Sequence, residues 1–559
     1  MEIIGSVALG AYQICIKKNA FSVMAEGVEL FCFPVQCEVD TAVQEDRDIY
    51  LSEPQIVNQA GGLQAVWLAG SECWPCKQYI LDVNDRGFSF RIRLQGIGSP
   101  RLIRYFMGPR DVPRPGSRYE VAGYALPAAA YADGDRMTRF IQHSGKISMR
   151  YMTPPSLVFP FWTEGVEPWV GIGVTAEPGQ HNFPEFCYEH HDMRCHFQIN
   201  LDGRTKIDGE WTSPAIWGGF GRDAADVVKQ YSRNCYDSGL YRTGPTEKFR
   251  WWKGPFYCGW GDQVERGKSW GVPIRDLATQ DFYQKLSDRL DELDLHPTAM
   301  IIDDKWQGHY GQLLPDPNKW PDLRGFVDQQ HQKGRKVILW VKVWNCEGLD
   351  DDECIQLQNQ PYSADPTNPK YRKRVFDTVR KLLSEDADCF NCDGFKLDFV
   401  DNILFHRDMQ VYDDRQYGLE LVKTMMQLFY DAAKAVKTDA LINNSCCHPY
   451  FAEVTDQVRL HDYGDGMRAM MSVMTHRSAL YAAAMPHALI DTDSSNRSNY
   501  REAKLYCLRA QELGVPDIYM VYDSREFSFT EQDWQEIRQV WEDYSARMDA
   551  EELKNGGNI

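Results

Sequence analysis

Carboxylates recur at one kind of place in the second half of this 559-residue chain, just after short apolar runs. Asp303 and Asp304 follow Ala299–Ile302. Asp398 closes Gly394–Asp398, two residues after Lys396. Asp462 and Asp465 come just after Arg459 in the run that begins at Val458, and Asp491 and Asp493 close another. Asp262 lies just past Phe256–Trp260. Other runs end in Lys342 with Trp344, and in Asn444 with Cys446. One such Asp is an ordinary cap for a following helix. A set of them around one pit repels itself, so a fold that keeps them does so against a cost. Three chemistries use such a pit. Divalent-metal enolisation needs several Asp or Glu ligands with a Lys or His base. Hydrolytic zinc sites need several His, yet of 13 His only His448, His461 and His487 sit near run ends. Glycoside hydrolysis needs two carboxyl groups, one a nucleophile and one a proton donor, plus aromatic and hydrogen-bonding neighbours for the sugar. Trp260, Trp306 and Trp344 stand at the same run ends, which only the third chemistry requires. That reading calls for no metal and no cofactor.

The elements that must position these residues follow from the pattern. Eight strands are expected at Phe256–Trp260, Ala299–Asp303, Val337–Lys342, Gly394–Asp398, Leu441–Asn444, Val458–Asp462, Ala488–Asp491 and Ile518–Tyr522. Helical periodicity falls between most of them, at Thr279–Leu293, Leu323–Lys333, Asn368–Leu383, Tyr417–Val436, Gly466–Ala484 and Tyr500–Leu513, with the fifth crossover weakly marked. That rhythm is a (β/α)8 TIM barrel, whose chemistry sits at the C-terminal strand ends. Residues 1–240 read instead as short alternating strands, such as Phe88–Leu94 and Cys195–Leu201. The pair Asp202-Gly203 signals a hairpin, and Val112–Ser117 a loop. The expected architecture is α/β with an all-β N-terminal domain. A β-sandwich-like domain spans 1–240, the barrel 241–548, and a tail 549–559. A helical segment near Asp223–Asp237 joins the first two. The last helix opens at the capping box Thr530-x-x-Asp533 and runs to about Met548, leaving Asn555–Asn558 frayed.

Composition narrows the partners. Lys plus Arg number 61 against 80 Asp plus Glu, a net charge of -19, which repels phosphate backbones and argues against nucleic acid. No apolar run reaches the roughly 18–20 residues of a membrane span. Aromatic residues are 13% of the chain, in keeping with sugar stacking or a large core. The sixteen Cys are scattered, as buried free thiols in a reducing compartment would be, and Cys73-Trp-Pro-Cys76 lacks a second ligand pair. Met1–Ala20, with Glu2, Lys17 and Lys18, does not read as a signal peptide, so a cytoplasmic location is expected. The appended β-domain offers a docking surface for a homo-oligomer.

These residues also carry a family resemblance. Asp303-Asp304-Lys305-Trp306 resembles the DDGW signature of clan D α-glycosidases, especially glycoside hydrolase family 36. Trp320-Pro321-Asp322-Leu323, Cys392–Val400, Asn444-Ser445-Cys446, His461–Asp465 and Leu513–Pro516 follow in the family's order. The resemblance implies a retaining exo-α-glycosidase, α-galactosidase-like, acting on an oligosaccharide or glycoside. Asp398 would be the nucleophile and Asp462 the proton donor and later base, with Asp465 a rival for that role. Asp303 and Asp304 would accept hydrogen bonds from sugar hydroxyls, Lys396 and Cys446 would contact the sugar, and Arg459 would orient the acid. Trp260, Trp306 and Trp344 would stack on or wall the ring. Lys396 would also keep Asp398 ionised. A transglycosylase of the raffinose-synthase type and an inactive carbohydrate-binding barrel remain open. The sequence departs from the family in several places. No Met-Asn-Arg follows LDFV, Cys446-Cys447-His448 has no glycine run, and Lys305 stands where the family has Gly. Val341–Trp344 stands where a Pro-Glu pair is common, and the chain ends soon after the eighth helix, where the family has a β-domain. Lys305 or Lys342 would favour an anionic or modified sugar, or pair with a neighbouring Asp.

Overall fold

The computed structural model describes residues 2–109, 117–119, 145–150, 157–163, 166–191, 194–460, 470–494 and 497–554. Val112–Gly116, His461–Asp465 and Asn555–Asn558 lie outside the described residues. Among those described, the N-terminal half forms a ten-stranded and a nine-stranded sheet. Alternation makes this possible: in Gly87–Gly98, Phe88, Phe90, Ile92 and Leu94 are buried while Ser89, Arg91 and Arg93 are not. Phenylalanines from the two sheets interlock. Phe21 of one lies 5.1 Å from Phe88 and 6.0 Å from Phe90 of the other. Asp202 and Gly203 do take left-handed conformations, with φ of 49° and 71°. They make no hairpin, however. Arg194–Asn200 belongs to the ten-stranded sheet, whereas Ile207–Thr212 pairs with Gly87–Gly98 in the other. The turn hands the chain from one layer to the next.

The second half is a barrel of eight parallel strands preceded by this sandwich. The strands are Phe256–Cys258, Ala299–Ile302, Lys336–Lys342, Gly394–Asp398, Leu441–Asn444, Gln457–Arg459, Leu489–Asp491 and Asp517–Ile518, barrel strands 1 to 8 below. They run in chain order, with strand 8 beside strand 1, and a parallel bridge from Asp491 to Val515 joins strand 7 to the segment entering strand 8. Most are short, largely buried runs, and the expected runs overlap all eight, although strand 8, expected at Ile518–Tyr522, shares only Ile518 with the observed Asp517–Ile518. The fifth crossover is only a short 3-10 turn, Pro449–Val454, which explains its faint helical pattern. Trp260–Trp270 is a helix and does not extend strand 1; it ends on Gly271 in the left-handed conformation. The last helix, Glu531–Lys554, outruns its expected end because Arg250 pairs with Asp549 and Lys253 with Glu552. No helix among the described residues is long and apolar enough to cross a membrane. All sixteen cysteines are free thiols, most of them buried.

Sandwich and barrel share a polar, aromatic seam. Helix Ala224–Asp237 starts on the Asp223 side chain, which accepts from the Asp226 N–H. Its Tyr231 hydroxyl donates to the Val174 carbonyl at 2.5 Å and meets His448 Nε2 at 2.8 Å. His448 Nδ1 accepts the Tyr450 N–H at 3.2 Å, so its proton is on Nε2 and the ring is neutral; burial holds its pKa well below the usual histidine value. Tyr450 stacks on His181 at 3.9 Å and donates to Glu420. A side chain at Gly418, φ 57°, would collide with the Phe183 main chain. These contacts seat barrel strand 5's exit loop against the sandwich.

Candidate active site

Parallel pairing aligns the inward faces of strands 3 and 4: Trp340 lies beside Lys396, and Lys342 beside Asp398. Asp398 ends strand 4 with its side chain 20% exposed. Its Oδ1 accepts from Arg459 Nη2 at 2.7 Å and from the Phe399 N–H at 2.8 Å; its Oδ2 accepts from Trp340 Nε1 at 2.9 Å. Burial pushes this carboxyl up, but the Arg459 and Lys396 charges and the Trp340 and Arg459 hydrogen bonds outweigh it. Asp398 therefore stays well below the usual carboxylate range and ionised. Arg459 is thus the direct partner that the sequence assigned to Lys396.

Lys396 acts at one remove. Its ammonium lies 3.2 Å from Asp303 Oδ2, 3.2 Å from Asp493 Oδ2 and 3.1 Å from the Tyr519 hydroxyl. Burial lowers its pKa, and the Asp303 and Asp493 charges more than restore it. Asp493 also accepts from Arg459 Nη1 at 2.8 Å and from the Tyr519 hydroxyl. Asp493 therefore bridges the two cations that set the charge of Asp398; burial notwithstanding, it too is held below the usual range by Lys396 and Arg459. Asp491, two residues earlier, accepts from Asn443 Nδ2 at 2.7 Å. Burial and the Asp493 charge push it up to about 7. Asp517 on strand 8 is buried with neither carboxylate oxygen hydrogen-bonded, and burial raises it well above the usual range.

On strand 2, Asp303 accepts from Lys396, from the Cys258 thiol at 3.2 Å and from the Asp304 N–H at 2.8 Å; burial raises its pKa against the Lys396 charge. Asp304 accepts from the Tyr310 hydroxyl at 2.6 Å and Arg275 Nε at 3.0 Å. Lys305, Trp344 and Phe399, just past strands 2, 3 and 4, all adopt left-handed backbone at φ 79°, 69° and 55°. Such strain costs on the order of 1–3 kcal/mol per residue and gathers at functional sites.

Several expected lining residues lie elsewhere. Trp306 and Trp344 are buried, and their indole N–H groups donate to the Trp340 and Val400 carbonyls at 2.7 and 2.8 Å. They brace the mouth from behind and offer no face to a sugar. Cys446 is fully buried, and burial raises its thiol pKa. Asp262 is buried in helix Trp260–Trp270, where it accepts from Tyr257 and the Val521 and Tyr522 N–H groups. Trp260 stays partly buried over the barrel-interior cluster of Cys258 and Tyr519. Asp462 and Asp465 fall outside the described residues. Trp340, Tyr310, Tyr519 and Arg275 belong to the site without having been singled out. For Trp340 the signal was available in the alternation Ile338, Trp340, Lys342. The Cys73–Cys76 pair lies on the sandwich, and among the described residues no cluster of three or more His, Cys, Asp or Glu is arranged to hold a metal.

No family model matches the sequence, and no curated protein matches it. Solved structures match in fold. The α-N-acetylgalactosaminidase NagBb from Bifidobacterium bifidum, solved with GalNAc, superposes with a TM-score of 0.61 at 10% identity, over 97% of this chain and 93% of that one. The α-galactosidase TtGalA from Thermus thermophilus, solved with stachyose, gives 0.50 at 14% identity over 88% and 99%. A cycloalternan-degrading enzyme from Trueperella pyogenes gives 0.50 at 11% over 96% and 82%. At these identities the likeness establishes a common architecture: a sandwich followed by a barrel.

Proposed function

We propose that this chain is a glycosidase acting on terminal α-linked sugars, with retention of anomeric configuration and Asp398 as nucleophile. The observation that carries the reading is the Asp398 carboxylate. It is ionised, held from two sides by Arg459 and Trp340, and still partly open at a barrel mouth. A carboxylate fixed in this way is suited to attack an anomeric carbon. Its oxygen would form the bond to that carbon as the aglycone oxygen leaves with a proton from Asp462, or from Asp465. Water, deprotonated by the same residue, would then release the sugar. The fold neighbours named above include an α-galactosidase and an α-N-acetylgalactosaminidase, which makes α-galactoside-type substrates the first to try. On this reading Asp303 and Asp304, whose carboxylates are oriented by Lys396, Tyr310 and Arg275, would receive sugar hydroxyls.

The test is a panel of aryl α-glycosides with the wild type, Asp398→Ala, Asp462→Ala and Asp465→Ala. Wild-type hydrolysis that Asp398→Ala abolishes supports the reading; activity surviving in that variant removes Asp398 as nucleophile. Azide should restore turnover, as the α-glycosyl azide, only to the variant lacking the acid/base. Turnover of no substrate by the wild type would favour a carbohydrate-binding barrel.

A further inference from the structure

Resting on that glycosidase reading, we infer that Lys342 makes the site selective for a sugar bearing an anionic substituent, a carboxylate or a sulfate ester. The argument is a charge inventory of the mouth. Lys396 is matched by Asp303 and Asp493, Arg459 by Asp398 and Asp493, and Arg275 by Asp304. Lys305, the other cation foreign to the family pattern, is taken by Glu347 at 2.7 Å. Lys342 alone among these has no carboxylate within ion-pair distance among the described residues. Among the described residues its ammonium meets ring faces, 4.7 Å from the Phe399 centroid and 5.4 Å from that of Tyr310.

The position of this ammonium is what gives it meaning. Lys342 is the register partner of Asp398 across strands 3 and 4, and adjacent strands lie about 4.8 Å apart. Tyr310, the second ring, is the residue whose hydroxyl holds Asp304. The ammonium therefore lies between the ring of Phe399, the residue after the nucleophile, and the ring of Tyr310, which holds one of the proposed hydroxyl-binding pair. Asp398 does not serve as its counter-ion: among the described residues the cation within ion-pair distance of Asp398 is Arg459, not Lys342. Phe399 reaches this place through left-handed backbone and keeps 39% of its surface exposed, so the ring borders open volume. Two ring faces partly desolvate the ammonium and hold it by cation–π attraction, but neither neutralises it. An anion on the sugar supplies the missing charge. Lysine presents a compact point charge with rotatable donors, which suits carboxylate and sulfate alike.

The experiment uses the full chain and 4-nitrophenyl α-glycosides of the galacto and gluco series, each as the neutral sugar, the 6-carboxylate and the 6-sulfate. Wild-type kcat/KM should favour one anionic form over its neutral parent by at least about 10-fold, chiefly through KM. The anion favoured tells carboxylate from sulfate. Lys342→Gln should bring the anionic-to-neutral ratio close to one, and Lys342→Arg should retain most of it. The wild-type preference should also shrink as salt rises, since the group is only partly buried. A neutral preference, or a ratio unmoved by Lys342→Gln, overturns the inference while leaving the glycosidase reading intact. If no glycoside is turned over, the glycosidase reading fails. Calorimetric titration with galacturonate and galactose, and with glucuronate and glucose, then decides Lys342 separately. Tighter uronate binding that Lys342→Gln removes upholds the role, and equal binding refutes it.

Discussion

Replacing Arg459 by Met tests whether Asp398 owes its ionised state to a neighbour on a different strand. Arg459 is buried and gives Asp398 a charged hydrogen bond at 2.7 Å. Bonds to charged groups contribute about 1.5–3 kcal/mol, and one pKa unit corresponds to about 1.36 kcal/mol, so the Asp398 pKa should rise by about 1–2 units. Trp340 and Lys396 remain, so the carboxyl should still ionise at neutral pH. The assay is the pH dependence of kcat/KM on an aryl α-glycoside with a strongly acidic phenol, whose departure needs little proton donation. The acidic limb should move up by about 1–2 pH units. Stability gives an independent readout. Because the folded Asp398 pKa is depressed, its stabilisation is present above about pH 4, the unfolded value, and is lost as pH falls through the folded one. Arg459→Met should therefore show a shallower fall of Tm between about pH 5 and pH 3 than the wild type. A folded variant with an unmoved acidic limb and an unchanged acid slope would refute the electrostatic account.

Three further outcomes follow from the same geometry. Asp491 is pushed up to about 7, so the folded protein keeps a proton that the unfolded chain loses near pH 4; its contribution to stability should fall as pH rises from about 4 to 7, and the Tm difference between wild type and Asp491→Asn should shift over that interval and level off above it. A difference between the wild-type and Asp491→Asn Tm that stays constant over that range contradicts the assignment. Trp306→Phe removes a buried indole N–H bond and should cost about 1–3 kcal/mol in urea unfolding, with KM changed by less than about 2-fold. A KM rise of about 10-fold would place the ring in the sugar pocket after all. Tyr310→Phe frees one oxygen of Asp304 and should raise KM by about 3–10-fold with kcat less affected; a pure loss of kcat would instead tie Tyr310 to the reacting bond.

What the sequence revealed and what it hid follow from range. The strands were legible because most are buried runs at or just before a polar residue, a signal carried within five or six positions. The carboxylates at their ends were legible for the same reason. The partners of those carboxylates were not. Lys396 looked like the neighbour of Asp398 because it is two residues away, yet its ammonium is held by Asp303 from strand 2 and Asp493 beyond strand 7. Trp306 and Trp344 looked like sugar platforms because of where they fall in the chain. The left-handed backbone at Lys305 and Trp344 accompanies their burial in the core, and no local pattern announces it. Trp260–Trp270 was hidden because an apolar run entering a helix reads like a strand running on. The Asp202-Gly203 turn was read correctly as a turn, but its destination depends on which sheet has a free edge.

The seam between sandwich and barrel has a thermodynamic consequence. A neutral buried His448 bonded to Tyr231, with Tyr450 stacked on His181, means that neither half can expose its side of the seam without stranding polar groups of the other. Heating should thus melt the whole chain in one calorimetric transition rather than two, and barrel libraries should leave the seam residues untouched. Acid should act on this joint first: both imidazoles are held neutral by burial, so below about pH 6.5 the unfolded chain gains protons that the folded one refuses. The sandwich thereby behaves less as a neighbour of the barrel than as its outer wall.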